Sequence, residues 1–248
     1  MGARLAVIIP SYCHFGYCLR AVKSLFACTD GEVEAYLIDD ASPEWLKQDW
    51  SKWPTDKMQF QHFSKNGGLT RSWNCGLRMA RERGAEFVCA ANSDIIFSPG
   101  WFDNISWALT RGVDLAGPVT NAPGHRPKQR VTNFLKDYKV TDDASYLAKV
   151  AARLRGSCSK SFLEAGINGF CMVAKTSTWW SGAFDANNVF NPKFKLTGNE
   201  DELQRRWRKQ RKTLAIVPGS FVFHYRGVSR KHGASGKHGK GWFRIAKK

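Results

Sequence analysis

No apolar run in the sequence reaches the roughly 18 residues that a membrane-spanning helix needs. No CxxC pair occurs either. The seven cysteines, at 13, 18, 28, 75, 89, 158 and 171, are scattered and odd in number. That argues against both a zinc site and a disulfide framework, and several read as plain core residues. No secretory leader is visible, because Met1-Gly2-Ala3-Arg4 runs straight into the apolar stretch Leu5–Ile9. A cytoplasmic location is therefore the expectation. Internal repeats are absent. The most informative lack is of acid: from Leu203 to Lys248 there is no Asp or Glu against 14 Lys or Arg. The whole chain has 38 basic and 21 acidic side chains, a formal net charge of +17, so residues 1–202 are nearly balanced at 24 basic and 21 acidic. A block of this kind suits a polyanion: nucleic acid, an anionic membrane face or an acidic glycan.

With 248 residues, 43% of them hydrophobic and 13% aromatic, the chain has enough apolar surface for one large α/β domain. Leu5–Ile9 reads as a buried strand ending at Pro10-Ser11-Tyr12. Leu19, Val22, Leu25 and Phe26 give Tyr17–Cys28 a helical period. Val33–Ile38 is a second strand, ending in Asp39-Asp40, and the three together form a βαβ unit that closes onto a parallel sheet. Trp45–Trp50 suggests a short helix and Met58–Phe63 a strand. After the turn Asn66-Gly67-Gly68 comes a helix from Thr70 to Arg83, stopped by Gly84. Trp101–Leu109 reads as a helix, Val113–Val119 as a strand and Asn121–Arg130 as a basic, Pro-containing loop. Further on, the pattern gives a helix over 142–154 capped by Asp142 or Asp143, a strand at Phe170–Ala174, an irregular stretch from Phe184 to Gly198, a helix over Glu200–Lys212, and short strands at Leu214–Val217 and Phe221–Phe223. The domain is expected to span residues 1–226 with a variable insertion over 121–165, and 227–248 to be a basic mobile tail.

The organising stretch is Glu86–Asp94, an apolar strand ending in Asn92-Ser93-Asp94. In open α/β sheets ligands bind at the carboxyl ends of parallel strands. Side chains alternate along a strand, so Asn92 and Asp94 face the same way and offer two oxygens to a hard divalent cation. Ser98-Pro99 looks like the N-cap and first residue of the next helix.

Pro10-Ser11-Tyr12, Asp39-Asp40, Asn66-Gly67-Gly68 with Asn74, Asn92-Ser93-Asp94 with Pro99-Gly100-Trp101, Asn168-Gly169-Phe170, Phe184-Asp185, Gly198–Leu203 and Val222-Phe223-His224 follow one another in an order and spacing that resembles the GT-A family 2 glycosyltransferases. The likeness covers residues 4 to 226. It implies a single-domain GT-A fold, with a Rossmann-like, mostly parallel sheet flanked by helices. It also implies a nucleotide-sugar donor, a UDP-sugar first, and a divalent cation, Mn²⁺ or Mg²⁺.

Carried over motif by motif, Pro10, Ser11 and Tyr12 flank the nucleotide. Asp39 or Asp40 accepts a hydrogen bond from the base. Asn66 and Gly67-Gly68 bring backbone to the nucleotide, with Asn74, Asn92 and Ser93 also on the donor side. Asp94 keeps the metal carboxylate where the family often has Asp-x-Asp, and His224 stands at the third metal ligand. The general base falls in Glu200-Asp201-Glu202, where the register favours Asp201 and leaves Glu200 open. Asn168, Gly169 and Phe170 border the acceptor, and Arg226 and Arg230 offer charge to the diphosphate and acceptor.

The basic end points to DNA as acceptor. Virus-encoded enzymes that glycosylate hydroxymethylated bases are one known solution, the base being presented out of the stack. Such an enzyme works in the host cytoplasm. Two other readings fit the residues: transfer to an anionic glycan or lipid-linked acceptor with the tail lying on a membrane, and a non-catalytic nucleic-acid binder on a decayed transferase fold.

Overall fold

The computed structural model describes residues 4–227. Arg230 and the tail beyond residue 227 lie outside them. Among the described residues nine strands form one sheet, in the order β3-β2-β1-β4-β8-β6-β9-β5, with β7 added against β9.

The first half follows the apolar pattern closely. β1 (Leu5–Ser11) lies between β2 (Val33–Asp39) and β4 (Phe87–Ala91), parallel to both, and β3 (Met58–His62) runs parallel to β2 at the edge. Helix α1 (Phe15–Cys28) connects β1 to β2, and α2 (Leu69–Glu82) leads into β4. The expected short helix near Trp45 is a pair of 3₁₀ turns, Trp45–Lys47 and Trp50–Lys52. Side chains alternate along β1. Leu5, Val7 and Ile9 pack with Val22 and Leu25 of α1 on one face, and Ala6 and Ile8 pack with Trp73, Leu77 and Ala80 of α2 on the other. Helices therefore cover both faces, as a parallel sheet requires. Truncating a fully buried side chain such as Ile8 to Ala costs about 2–5 kcal/mol.

The second half departs from expectation in several places. Ile95–Phe97 forms a short strand, β5, which the sequence pattern did not announce. Ser98 caps no helix: its hydroxyl donates to the Phe221 carbonyl, and α3 begins later, at Asp103–Thr110. The hydroxyl has a stronger use in joining two strands than in capping. The two expected C-terminal strands are one, β9 (Leu214–His224), running through Pro218 and Gly219. It is parallel to β6 (Leu115–Val119), with a register shift after Pro118, and antiparallel to β5 and β7 (Leu163–Glu164). β8 (Cys171–Lys175) is antiparallel to β4 and β6. Six of the nine strands thus point one way; β5, β7 and β8 oppose them.

Helix α4 (Ala144–Cys158) is capped by Asp143, whose carboxylate accepts from the Tyr146 N–H at 2.8 Å. It buries Leu147, Val150 and Leu154 in the same layer as Leu203 and Trp207 of α6 (Asn199–Lys209), and a short α5 (Thr176–Ser181) adds Trp179. Among the described residues no helix is long and apolar enough to cross a membrane.

Candidate active site

The sheet order reverses at β1, which has β2 on one side and β4 on the other. The β1–β4 ladder ends at Ile8↔Ala90, before Pro10, which has no N–H to continue it. This opens a crevice at the carboxyl ends of the strands, the place where such sheets bind ligands. Pro10 and Ser11 are buried at its floor, and Tyr12 is half-buried.

On the β2 side, Ser11, Asp39 and His62 stand in register on three adjacent strands. The Asp39 carboxylate is fully buried and already engaged. It accepts from the Ser42 N–H at 2.9 Å and from the Ser42 hydroxyl, and it faces His62 Nδ1 at 2.8 Å. The His62 ring stacks on Trp45, centroids 5.0 Å apart. Asp40 has a different task. It accepts from the N–H groups of Gly67 (3.0 Å) and Gly68 (2.7 Å) and pairs with the Arg71 guanidinium, while Asn66 Nδ2 donates to the Asp40 carbonyl. The glycine turn is thus tied down by a carboxylate. Gly68 needs its freedom, with φ +92° and the Lys195 carbonyl close against its Cα. Asn74 is buried and spends its amide on the backbone of Phe190, donating to the carbonyl and accepting from the N–H, both at 2.9 Å. Its side chain holds the 184–198 loop in place.

On the β4 side, the unannounced strand β5 does the assembling. Its pairing sets Ile95 opposite His224, which brings Asp94 beside the histidine. His224 Nε2 lies 3.3 Å from Asp94 Oδ1 and 3.4 Å from the Asn92 amide. The other ring nitrogen, Nδ1, sits 3.2 Å from the Ala122 carbonyl. A proton on Nδ1 satisfies that carbonyl and leaves the Nε2 lone pair facing Asp94. Asn121 clamps the His224 backbone from both sides, with bonds of 2.8 and 3.0 Å. Asp94 and His224 are both buried, 4% and 5% exposed. A carboxylate oxygen and an imidazole nitrogen this close make a donor set suited to Mn²⁺ or Mg²⁺, and Asn92 can add an amide oxygen.

Gly169-Phe170 links this corner to the acids of α6. Phe170 stacks under the His224 ring at 5.1 Å and accepts from the Asn92 N–H at 2.8 Å. Glu200 lies across Gly169, its side-chain carbons 3.2 Å from where a Cβ would stand. Burial, and next the neighbouring Asp201 charge, hold the Glu200 carboxyl above its ordinary value, against the pull of its own backbone N–H and of His125 and Arg126. Asp201 is in a different state. It is half-exposed, paired with the Arg126 guanidinium and 3.3 Å from His125 Nε2. His125, Glu200 and Asp201 place ligand atoms within 4.8 Å of one another, a spacing that could also hold an ion. Arg126 already supplies the positive charge there. Asn168 Oδ1 accepts from the Phe170 N–H at 3.1 Å, and exposed Arg226 approaches Asn168 near Gly124. Ser93 is half-buried between Asn92 and Asp94.

A family model described as Glycosyl transferase family 2 matches residues 6–152. The chain belongs to that family. Among solved structures, GalNAc-T7 with UDP, GalNAc and Mn²⁺ shares 15% identity at a TM-score of 0.68, over 90% of this chain and 44% of that one. TarS 1-349 from S. aureus shares 14% at 0.59, over 89% and 60%, and its complex with UDP gives 0.56 over the same shares. This chain therefore spans less than two thirds of those proteins. At such identities the likeness speaks for the fold, a GT-A-type α/β domain. No curated protein sequence matches.

His62 and Asn121 were not singled out from the sequence, and His125 and Arg126 were noted only as part of the basic loop Gly124–Arg130, without a place in the site. His62 had a usable signal, since it ends the third parallel strand, level with Asp39. The other three sit in a loop whose placement depends on partners far along the chain.

Proposed function

We propose that this family 2 member is a metal-dependent, inverting glycosyltransferase that moves a sugar from a UDP-sugar to a hydroxyl on DNA, the best candidate being a hydroxymethylated base. The observation that carries the transfer reading is the convergence of Asp94, His224 and Glu200 around Gly169-Phe170. GalNAc-T7 holds UDP and Mn²⁺ and TarS holds UDP, which supports a UDP-sugar donor and a divalent ion here.

Asp94 and His224, with Asn92, would hold the Mn²⁺ or Mg²⁺, which when bound offsets the negative charge of the donor diphosphate. Glu200 is the general base in this account, in preference to Asp201. It has no guanidinium partner among the described residues and a raised affinity for protons, which suits a group that must accept one near neutral pH. Its carboxylate takes the acceptor proton as the hydroxyl oxygen bonds to the anomeric carbon. The bond from that carbon to the diphosphate breaks on the opposite face, so the configuration inverts. Asp201 positions Arg126. Asp39 holds His62 at the nucleotide end, and Asp40 holds the Gly67-Gly68 turn.

The test is a panel of labelled UDP-sugars incubated with Mn²⁺ and duplex DNA, with or without hydroxymethylated cytosine. The account expects label only on the hydroxymethylated duplex. Label appearing instead on anionic lipid or glycan, with both duplexes blank, would overturn the DNA acceptor while keeping the transferase. No UDP release from any donor would overturn the transferase.

A further inference from the structure

Within the described residues the positive charge is laid out as a path that passes the candidate base. At one end, Arg208, Arg211 and Lys212 line a cleft of about 380 Å³ with Glu164, Ala165, Thr213 and Leu214. From there Arg208 reaches Gly166, where it meets Arg126. A Cβ on residue 166 would stand 2.7 Å from a terminal nitrogen of Arg208 and 3.0 Å from one of Arg126. Arg126 then contacts Asp201, the neighbour of Glu200. Two residues back along the same loop, at Gly124, the path continues to Arg226, which stands there beside Asn168. Acids on the path are few. Asp201 pairs with Arg126 and Asp114 lies 3.7 Å from Lys212, but among the described residues no carboxylate pairs with Arg208, Arg211 or Arg226.

We infer that this path is the docking surface for the backbone of duplex DNA, with phosphates held in turn at Arg211, Arg208, Arg126 and Arg226. The inference rests on the DNA reading above and adds the residues that bind the acceptor without the C-terminal tail. Three features favour a phosphate chain. Guanidiniums fit phosphate oxygens in a two-pronged way that ammonium groups do not. The charge forms a continuous run from the cleft past Arg126 to Arg226, which calls for an acceptor with anions repeated along its length. No exposed large apolar side chain lines the cleft, whereas membrane-surface sites combine basic with apolar groups. Gly166 belongs to the same design, since any side chain there would push the two guanidiniums apart.

The experiment measures binding of a fluorescein-labelled 20-base-pair duplex to the full chain across a salt series. It compares wild type with Arg208→Glu/Arg211→Glu and with Lys47→Glu/Lys57→Glu. The last pair makes the same change in net charge on the β2–β3 connection, at the opposite edge of the sheet. The Arg pair is expected to weaken binding at least tenfold and to flatten the log–log salt slope by about two units, at roughly 0.9 per lost phosphate contact. The Lys pair should change affinity less than twofold. Unfolding temperatures of both variants within a few degrees of wild type make the comparison one of surface charge. Equal losses in the two pairs would show a net-charge effect and overturn the assignment. So would an unchanged slope in the Arg pair, which would leave binding to the tail. Binding to phosphatidylserine vesicles with none to the duplex would overturn it as well. Donor hydrolysis, assayed without DNA, reports on the transferase reading separately.

Discussion

Glu200 and Asp201 sit side by side on α6 yet face different surroundings, and that difference is measurable. Glu200→Gln should abolish transfer while UDP still binds, because an amide cannot take a proton. Asp201→Asn should keep partial activity, since Arg126 loses its ion pair but the base remains. Dead Asp201→Asn beside active Glu200→Gln would reverse the assignment. The pH dependence has a definite sign. Protonated Glu200 is inactive, so the rate should fall with acid starting at a higher pH than an ordinary glutamate would give. Stability runs the other way. A carboxyl whose pKa is raised by folding favours the folded state when protonated. That stability is fully present below the unfolded pKa and is lost as pH rises through the folded one. Glu200→Gln should therefore unfold at a higher temperature than wild type at pH 7, with the gap closing in acid. Equal unfolding temperatures at pH 7 would mean that Glu200 is well solvated. At the other end of the crevice, His62→Ala should weaken UDP binding severalfold if the imidazole that Asp39 orients faces the base. Unchanged UDP affinity would confine the Asp39–His62 pair to a structural part.

At the scale of elements, the site depends on three short pieces: β5, the Gly169-Phe170 step and the start of α6. Gly169→Ala places a methyl 3.2 Å from three carbons of Glu200. It should lower kcat about tenfold through misplacement of the base, with little change in UDP affinity. A normal kcat would show that Glu200 can yield without loss. The cap of α4 is a control on stability alone: Asp143→Ala should lower the unfolding temperature slightly and leave the site untouched. The parallel half of the sheet was legible because β1, β2 and β4 are continuous apolar runs bounded by turn residues, and α1 and α2 show helical spacing. β5 was not, since three residues carry no period and their partner lies at the far end of β9. The same holds for Ser98, a good cap by composition whose hydroxyl is claimed by Phe221. Asp94 and His224 were legible as residues, but their meeting was not, because it is made by β5. The choice between Glu200 and Asp201 needed burial and the Arg126 contact, which depend on a loop distant in sequence.

For the whole molecule, charge and chemistry occupy separable parts of the chain. Removing residues 229–248 takes away seven Lys or Arg and no acid. The shortened chain should bind duplex DNA more weakly and with a flatter salt slope, yet keep measurable binding through the path at Arg208, Arg211 and Arg126. It should release UDP from its donor at nearly the full rate. Complete loss of DNA binding would place the acceptor contacts in the tail alone. The fold supplies what the transfer account needs: a crevice where the sheet order reverses, a carboxylate–imidazole pair at its lip and a half-buried glutamate across Gly169. The measurement that bears on this most directly is UDP release from a UDP-sugar by wild type, Asp94→Ala and His224→Ala, each with Mn²⁺ and with excess EDTA. The account predicts release by wild type with Mn²⁺, none in EDTA, and at least a hundredfold loss in both variants. Wild-type release that survives EDTA, or full activity in Asp94→Ala, would contradict it.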